Sequence, residues 1–340
     1  MKTAYFRLNR IVSAAIAVVM AGGLWMGLNA QQAPISRAKV YTNPVIDRNF
    51  PDPSVFRDRG YYYAYSTNSR GGNMPCARSK DLVHWTSLPD AMPKLPRWAI
   101  AGRTWAPNVR SVIPGKRYAV YFTAHDRATN RQAVGVAFSR SPAGPFTSNA
   151  AKPFINQNDR GGSIDPSCFI DKDGRRFLVW KNDGNCCGFD TWLWLQQLSP
   201  DGARLVGTRR QLLKQDERWE GSLVEAPTLW MHRGEYYLFY SANGYGSCRY
   251  AIGYALAPSI FGPYRKPSET SWVASTAGVC GPGGEDIIDT SDGNSWMVYH
   301  SWEKGRAYRA MDLDQIRWVG DHPILDGPSR VPEVAPPTLP

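Results

Sequence analysis

Asp52, Asp165 and Glu225 stand in closely similar settings: Phe50-Pro51-Asp52-Pro53, Ser163-Ile164-Asp165-Pro166 and Val224-Glu225-Ala226-Pro227, each leading into an aromatic-rich strand. Carboxyls brought to one centre do proton-transfer chemistry, in which one acid protonates a leaving oxygen and another carboxylate activates water. A third carboxyl nearby raises the pKa of the general acid, because close like charges resist joint ionisation. An Asp-Pro pair also starts turns, and that reading would serve for Asp52 alone. It does not explain three acids in three separate copies of one setting.

The setting recurs through the chain. Aligning on a proline near each strand start gives Pro53, Pro107, Pro166, Pro227 and Pro282, at separations of 54, 59, 61 and 55 residues. After each comes a glycine-containing turn and an aromatic or β-branched strand, such as Arg59-Gly60-Tyr61-Tyr62-Tyr63 and Arg233-Gly234-Glu235-Tyr236-Tyr237, which reads as a hairpin. A second echo, Ala77-Arg78-Ser79, Ala137-Phe138-Ser139 and Ala255-Leu256-Ala257, closes several units and implies about four strands in each. No helical period occurs after the N-terminal segment. Repeats of about 50 residues with four strands are propeller blades, so the expected fold is all-β, a five-bladed β-propeller of four-stranded antiparallel blades around a central channel. A β-sandwich is the rival architecture. The 13 Trp and 17 Tyr suit β-strands and also flat sugar-binding surfaces.

In a propeller the first strand of each blade lines the channel, so equivalent positions meet at the axis. The residue before the aligned proline is Asp52, Ala106, Asp165, Ala226 and Gly281, and the one before that is Pro51, Trp105, Ile164, Glu225 and Cys280. Glu225 is thus one residue out of step with the two aspartates, which on a strand turns it to the other face unless a bulge compensates. Charges on an inner strand are costly unless paired or used. The use their chemistry supports is hydrolysis of a glycosidic bond. Trp105 offers a flat face on which a sugar ring stacks, or serves as packing.

These segments resemble glycoside hydrolase family 43, from about Asn43 to Ile324. The stretch from Asn43-Pro44 to Val55 looks like the family's general-base strand, Trp105-Ala106-Pro107-Asn108 its second-blade motif and Ile164-Asp165-Pro166 its third-blade acid. Val224-Glu225-Ala226-Pro227 is similar to the general-acid strand. The resemblance implies that Asp52 is the general base, Glu225 the general acid and Asp165 the modulator of the acid's pKa. It also implies inversion, with the Asp52 and Glu225 carboxyls roughly 6.5 to 9.5 Å apart. Cys280-Gly281-Pro282-Gly283-Gly284 and Tyr299-His300-Ser301-Trp302 resemble fifth-blade segments. There His300 would border a structural calcium, directly or through water, or simply hydrogen-bond to backbone; no cofactor is expected for the chemistry itself. Arg309 resembles an arginine that faces substrate, with a surface salt bridge as its other reading. Asn108 and the run Gly284-Glu285-Asp286 depart from the family's usual Asp and His. The implied substrates are plant or cell-wall oligo- and polysaccharides. An α-L-arabinofuranosidase or arabinanase is expected first; a β-xylosidase, a galactosidase or galactofuranosidase, or a non-catalytic carbohydrate-binding propeller is the alternative. Loops 182–190 and 243–249 are expected to decide between exo and endo action.

The 340 residues divide into an export signal over residues 1–30 and one propeller domain over 31–340 with a short Pro-rich tail. Lys2, Arg7 and Arg10 precede an apolar run from Ile11 to Leu28, and cleavage is expected after Ala30, an uncleaved anchor being the alternative. The protein is therefore expected to be secreted or periplasmic, monomeric, and membrane-bound only if that segment stays. Loss of those three basic residues takes the net charge from +11 to +8. With no run of Lys/Arg and no nucleic-acid motif, the charge reads as solubility or attraction to an anionic envelope rather than nucleic-acid binding. Six cysteines, Cys76, Cys168, Cys186, Cys187, Cys248 and Cys280, are expected to form structural disulfides, with the pairing open.

Overall fold

The computed structural model describes residues 39–69 and 72–340, so the export segment lies outside the described residues. Five small antiparallel sheets follow one another along the chain. Blade 1 holds Ser54–Asp58, Tyr61–Tyr65, Cys76–Ser79 and Trp85–Leu88. Blade 2 holds Ala99–Ile113, Arg117–Asp126 and Arg131–Ser139. Blade 3 has Ser163–Ile170, Arg176–Asn182, Trp192–Leu198 and Leu205–Lys214. Blade 4 has Val224–His232, Glu235–Ala242 and Ala251–Ala257. Blade 5 has Cys280–Asp289, Ser295–Trp302, Arg309–Val319 and His322–Leu325. The first strands touch in a closed ring, blade 1 to 2 and on round to blade 5 and back. The fold is the five-bladed propeller that the repeat implies.

Local sequence explains the hairpins. Arg59-Gly60 and Arg233-Gly234 each place two successive residues at positive φ, forming the two-residue primed turn whose twist matches the flanking strands. Outer edges differ between blades. In blades 2 and 4 the fourth position is taken by Pro- and Gly-containing segments, 140–157 and 258–275. They pair only through isolated bridges such as Phe138 with Thr147 and Leu256 with Arg265, because proline cannot donate to a ladder.

The second strands are buried on both faces, which explains why runs such as Arg117–Asp126 lack polar alternation. Five apolar clusters fill the five spaces between blades. Tyr65, Val109 and Phe122 sit between blades 1 and 2, and Tyr121, Cys168 and Trp180 between 2 and 3. Val179, Val224 and Leu238 follow, then Phe239, Ile252 and Met297. Phe50, Tyr62 and Trp296 close the ring between blades 5 and 1. The segment before blade 1 pins that closure: Tyr41 Oη donates to the Leu313 carbonyl at 2.6 Å, and Asn43 Oδ1 accepts the Leu313 N–H at 2.8 Å.

The cysteines divide. Cys248 pairs with Cys280, and Cys186 with its neighbour Cys187. Cys76 and Cys168 are free and buried, correcting the expectation that all six pair; each packs in a different apolar cluster, where a thiol behaves as a small hydrophobe.

Because each apolar cluster is shared by two blades, one core truncation should loosen the ring. Phe122→Ala is expected to cost about 3 to 5 kcal/mol, read as a lower midpoint in urea unfolding; a loss under about 1 kcal/mol would contradict this packing.

Candidate active site at the channel mouth

On each first strand, or in blade 1 just before it, a residue lining the channel lies in the left-handed region: Asp52 (φ 51°), Ala106 (42°), Asp165 (54°), Ala226 (52°) and Gly284 (63°). In blades 2 to 5 the ladder register shifts at this point, so each of these is a bulge residue. In the fifth blade the equivalent is Gly284 rather than Gly281. Glu285 stands where the other blades have proline, so the proline alignment falls three residues early there.

Holding a non-glycine residue left-handed costs roughly 1 to 2 kcal/mol. Each freed N–H is satisfied across the blade boundary. Asp52 donates to His300 Nδ1 (3.1 Å), Ala106 to Thr67 Oγ1 (3.0 Å), Asp165 to Thr123 Oγ1 (3.0 Å) and Gly284 to Ser241 Oγ (2.9 Å). Ala226 donates to Asp165 Oδ2 at 3.1 Å. The bulges answer the register question raised by Glu225: it pairs with Ser241 one residue before the bulge, as Trp105 pairs with Thr123. Glu225 and Trp105 are therefore equivalent, both half-buried beside the mouth.

Asp52 is the most heavily held acid. Thr67 Oγ1 donates to its Oδ2 at 2.5 Å, Arg309 Nη1 lies 3.1 Å from Oδ1, and His300 Nδ1 lies 3.3 Å from Oδ1. Burial alone would raise its pKa, but the Arg309 charge, with the Thr67 hydroxyl, overcomes it and holds the carboxyl well below its usual range. Its side chain keeps 21% exposure, which leaves room for water. Gly284 makes that arrangement possible, because a Cβ there would lie 2.6 Å from His300 Nδ1 and 3.0 Å from Asp52 Oδ1.

Asp165 is pushed the other way, by burial first and then by the negative charge of Glu225. Glu225 accepts from Lys181 Nζ at 2.9 Å and from Tyr250 Oη at 2.8 Å. Tyr250 stacks on His300 with ring centroids 5.7 Å apart and lies over Gly283, where any Cβ would collide with its ring. Lys181 is fully buried; despite that burial, Glu225, Asp183 and Asp165 keep its pKa above the usual value, so it stays charged.

Arg309 lies against Asp52 and His300 rather than against a surface partner, with Tyr245 lying 4.6 Å across its guanidinium. Tyr245 is half exposed on loop 243–249, which the Cys248–Cys280 disulfide ties to blade 5. Thr67, Lys181, Tyr245 and Tyr250 escape sequence reasoning. The signal for Lys181 was present, since it occupies in blade 3 the strand position of Thr123 in blade 2.

The bore between the first strands holds only about 40 Å³, lined by Asp52 and Asp165 and by Asn108, Thr228, Glu285 and Asp286 among others. That is space for water, so a sugar must bind above it. Glu285 is pushed up to about 8 by burial, and its Oε1 has no partner. Asn108 ties blades together, accepting the Cys168 N–H at 3.0 Å. His300 does not fit as a direct calcium ligand: both ring nitrogens face protein groups, Nε2 lying 3.2 Å from the cationic Arg309. Among the described residues no three His, Cys, Asp or Glu side chains form a metal cage.

Asp52, Asp165 and Glu225 thus stand near one end of the channel with divided electrostatics, Asp52 held low and Asp165 pushed up. The sequence profile of glycosyl hydrolases family 43 matches residues 41–324, and the chain belongs to that family. Inversion is the family's general property. The chain is 26% identical over 311 residues to a xylosidase/arabinosidase of Butyrivibrio fibrisolvens, covering 84% of this chain and 56% of that protein. It is 25% identical over 293 residues to the extracellular endo-α-(1→5)-L-arabinanase 1 of Bacillus subtilis, covering 80% and 86%. A crystal structure of a thermostable family-43 glycoside hydrolase superposes with a TM-score of 0.78 at 27% identity, covering 88% of this chain and 99% of that one.

A carboxyl whose folded pKa is raised loses stability as pH climbs from the unfolded value, about 4, to the folded one. Asp165→Asn removes that penalty. Its melting temperature relative to wild type should therefore rise between about pH 4 and pH 8, in thermal unfolding at several pH values; a pH-independent difference would count against the raised pKa.

Proposed function

We propose that the protein is an inverting glycoside hydrolase in which Asp52 is the general base, Glu225 the general acid and Asp165 the modulator that keeps a proton on the acid side of the site. The observation that carries this is the split in electrostatics: Asp52 sits among Arg309, His300 and Thr67, while Asp165 is driven towards its protonated form beside Glu225. Ionised Asp52 accepts a proton from water as the water oxygen bonds to the anomeric carbon. Glu225 gives its proton to the glycosidic oxygen as the bond to that carbon breaks. The products are a sugar of inverted configuration, a protonated Asp52 and an ionised Glu225, and exchange with solvent resets both. No step runs through a metal.

The proposed substrate is an arabinofuranosyl linkage of an oligo- or polysaccharide. Arabinose is the sugar common to the names of the two curated relatives above, and Trp105 and the exposed Tyr245 flank the acids as stacking surfaces. A xylosyl linkage is the second reading, favoured by the double name of the Butyrivibrio relative. Export fits the extracellular Bacillus relative.

A panel of nitrophenyl arabinofuranosides, xylosides and galactosides with linear arabinan and xylan tests the reading. Wild type should act fastest on an arabinofuranosyl member. Asp52→Asn and Glu225→Gln should each lower kcat by about 10²- to 10⁴-fold, with ligand affinity by calorimetry changed less than about threefold. Full turnover in either variant overturns the roles, and a wild type that binds these sugars without releasing any assigns a binding propeller instead.

A further inference from the structure

Five positions stand opposite the residue before each left-handed one, Thr123, Lys181, Ser241 and His300 on second strands and Thr67 just past the end of one. Four of them do one job. Thr67, Thr123, Ser241 and His300 each accept the N–H of the next blade's left-handed residue. Lys181 has no acceptor to offer. In its place Asp165 reaches over to cap Ala226, and the lysine turns its ammonium to Glu225. The fold therefore asks for a short acceptor at this position, and satisfies that need elsewhere to admit a cation.

The substitution is expensive on its face, because a fully buried ammonium costs several kcal/mol unless closely paired. Its surroundings are all acidic. Glu225 lies at 2.9 Å, Asp183 at 3.9 Å, and Asp165 acts on it from its own blade. Beyond these, Arg131 acts on Asp183, Tyr250 holds the other oxygen of Glu225, and Asp52 with His300 and Arg309 completes the charged groups around the mouth.

We propose that Lys181 is the positioning residue of the general acid: its ammonium fixes Glu225 in the orientation that meets the glycosidic oxygen and stabilises the carboxylate left when the proton has gone. This rests on the reading of Glu225 as proton donor. Tyr250 locks one carboxyl oxygen by a neutral hydrogen bond, and Lys181 holds the second by a charge-assisted one, which strengthens as Glu225 becomes negative. An interaction stronger after proton transfer than before it lowers the barrier. Because the lysine also pulls Asp165 downward, its removal lets that carboxyl rise further, and the basic limb of the pH profile should move to higher pH.

The test compares phenyl and 2,4-dinitrophenyl glycosides of whichever sugar the wild type cleaves fastest, since a good leaving group needs little protonation. Lys181→Met, and Lys181→Thr with the residue the fold itself uses in blades 1 and 2, should lose about 10²-fold in kcat/KM on the phenyl glycoside. They should lose less than about fivefold on the dinitrophenyl one, with the basic limb shifted upward. Glu225→Gln is the control and should show the same split more strongly. Equal losses on both glycosides in the lysine variants, with the split kept in Glu225→Gln, would overturn the inference and leave the role of Glu225 standing. Equal losses in Glu225→Gln itself would overturn that role, and the inference with it.

Discussion

The site depends on one constraint: each inner strand enters the channel through a residue held in a left-handed backbone conformation, whose N–H must be capped by the blade before it. Left-handed backbone is unfavourable for everything but glycine, and aspartate tolerates it better than most. The bulge aims the residue that carries it at the axis. Two of the five such residues are aspartates, Asp52 and Asp165, and each belongs to the ring of bonds that joins neighbouring blades. Geometry and chemistry thus use the same atoms, and a change that loosens the ring also moves the acids.

The ring also divides the charges. On the blade 1 and blade 5 side, Arg309, His300 and Thr67 surround Asp52, and the proposed base gets the cationic and hydrogen-bonding partners that keep it ionised. On the blade 3 and blade 4 side, one buried ammonium faces three carboxyls, Glu225, Asp183 and Asp165, so that side holds more acid than the ammonium matches. Close like charges in a poorly solvated site hold a proton between them. In the proposed reaction, giving and taking a proton therefore fall on opposite sides of a bore too narrow for sugar.

Much of this was legible in the residues. The period of the prolines and hairpins implied five blades, because a repeat has to use its turn and strand chemistry at the same places each time. Asp52 and Asp165 were legible because they directly precede those prolines, and Glu225 because it stands two residues before its own. The fifth blade was misaligned because Glu285 replaces its proline, so the marker failed although the backbone kept its bulge. Lys181 was marked only by its repeat position, its contact with Glu225 being made across the blade boundary, and Tyr250 reaches Glu225 from a loop of the same blade that the repeat does not mark. Cys76 and Cys168 stayed unpaired because the blade architecture buries them in separate apolar clusters.

The division of labour between Asp52 and Glu225 has a stereochemical consequence. A base that activates water on the face opposite the departing oxygen must invert the anomeric carbon, whereas a carboxylate attacking that carbon itself would end in retention. The most direct measurement is ¹H NMR of the first sugar released, taken before mutarotation. The first anomer to appear should have the configuration opposite to the substrate; a first product of retained configuration would contradict the proposed roles of Asp52 and Glu225.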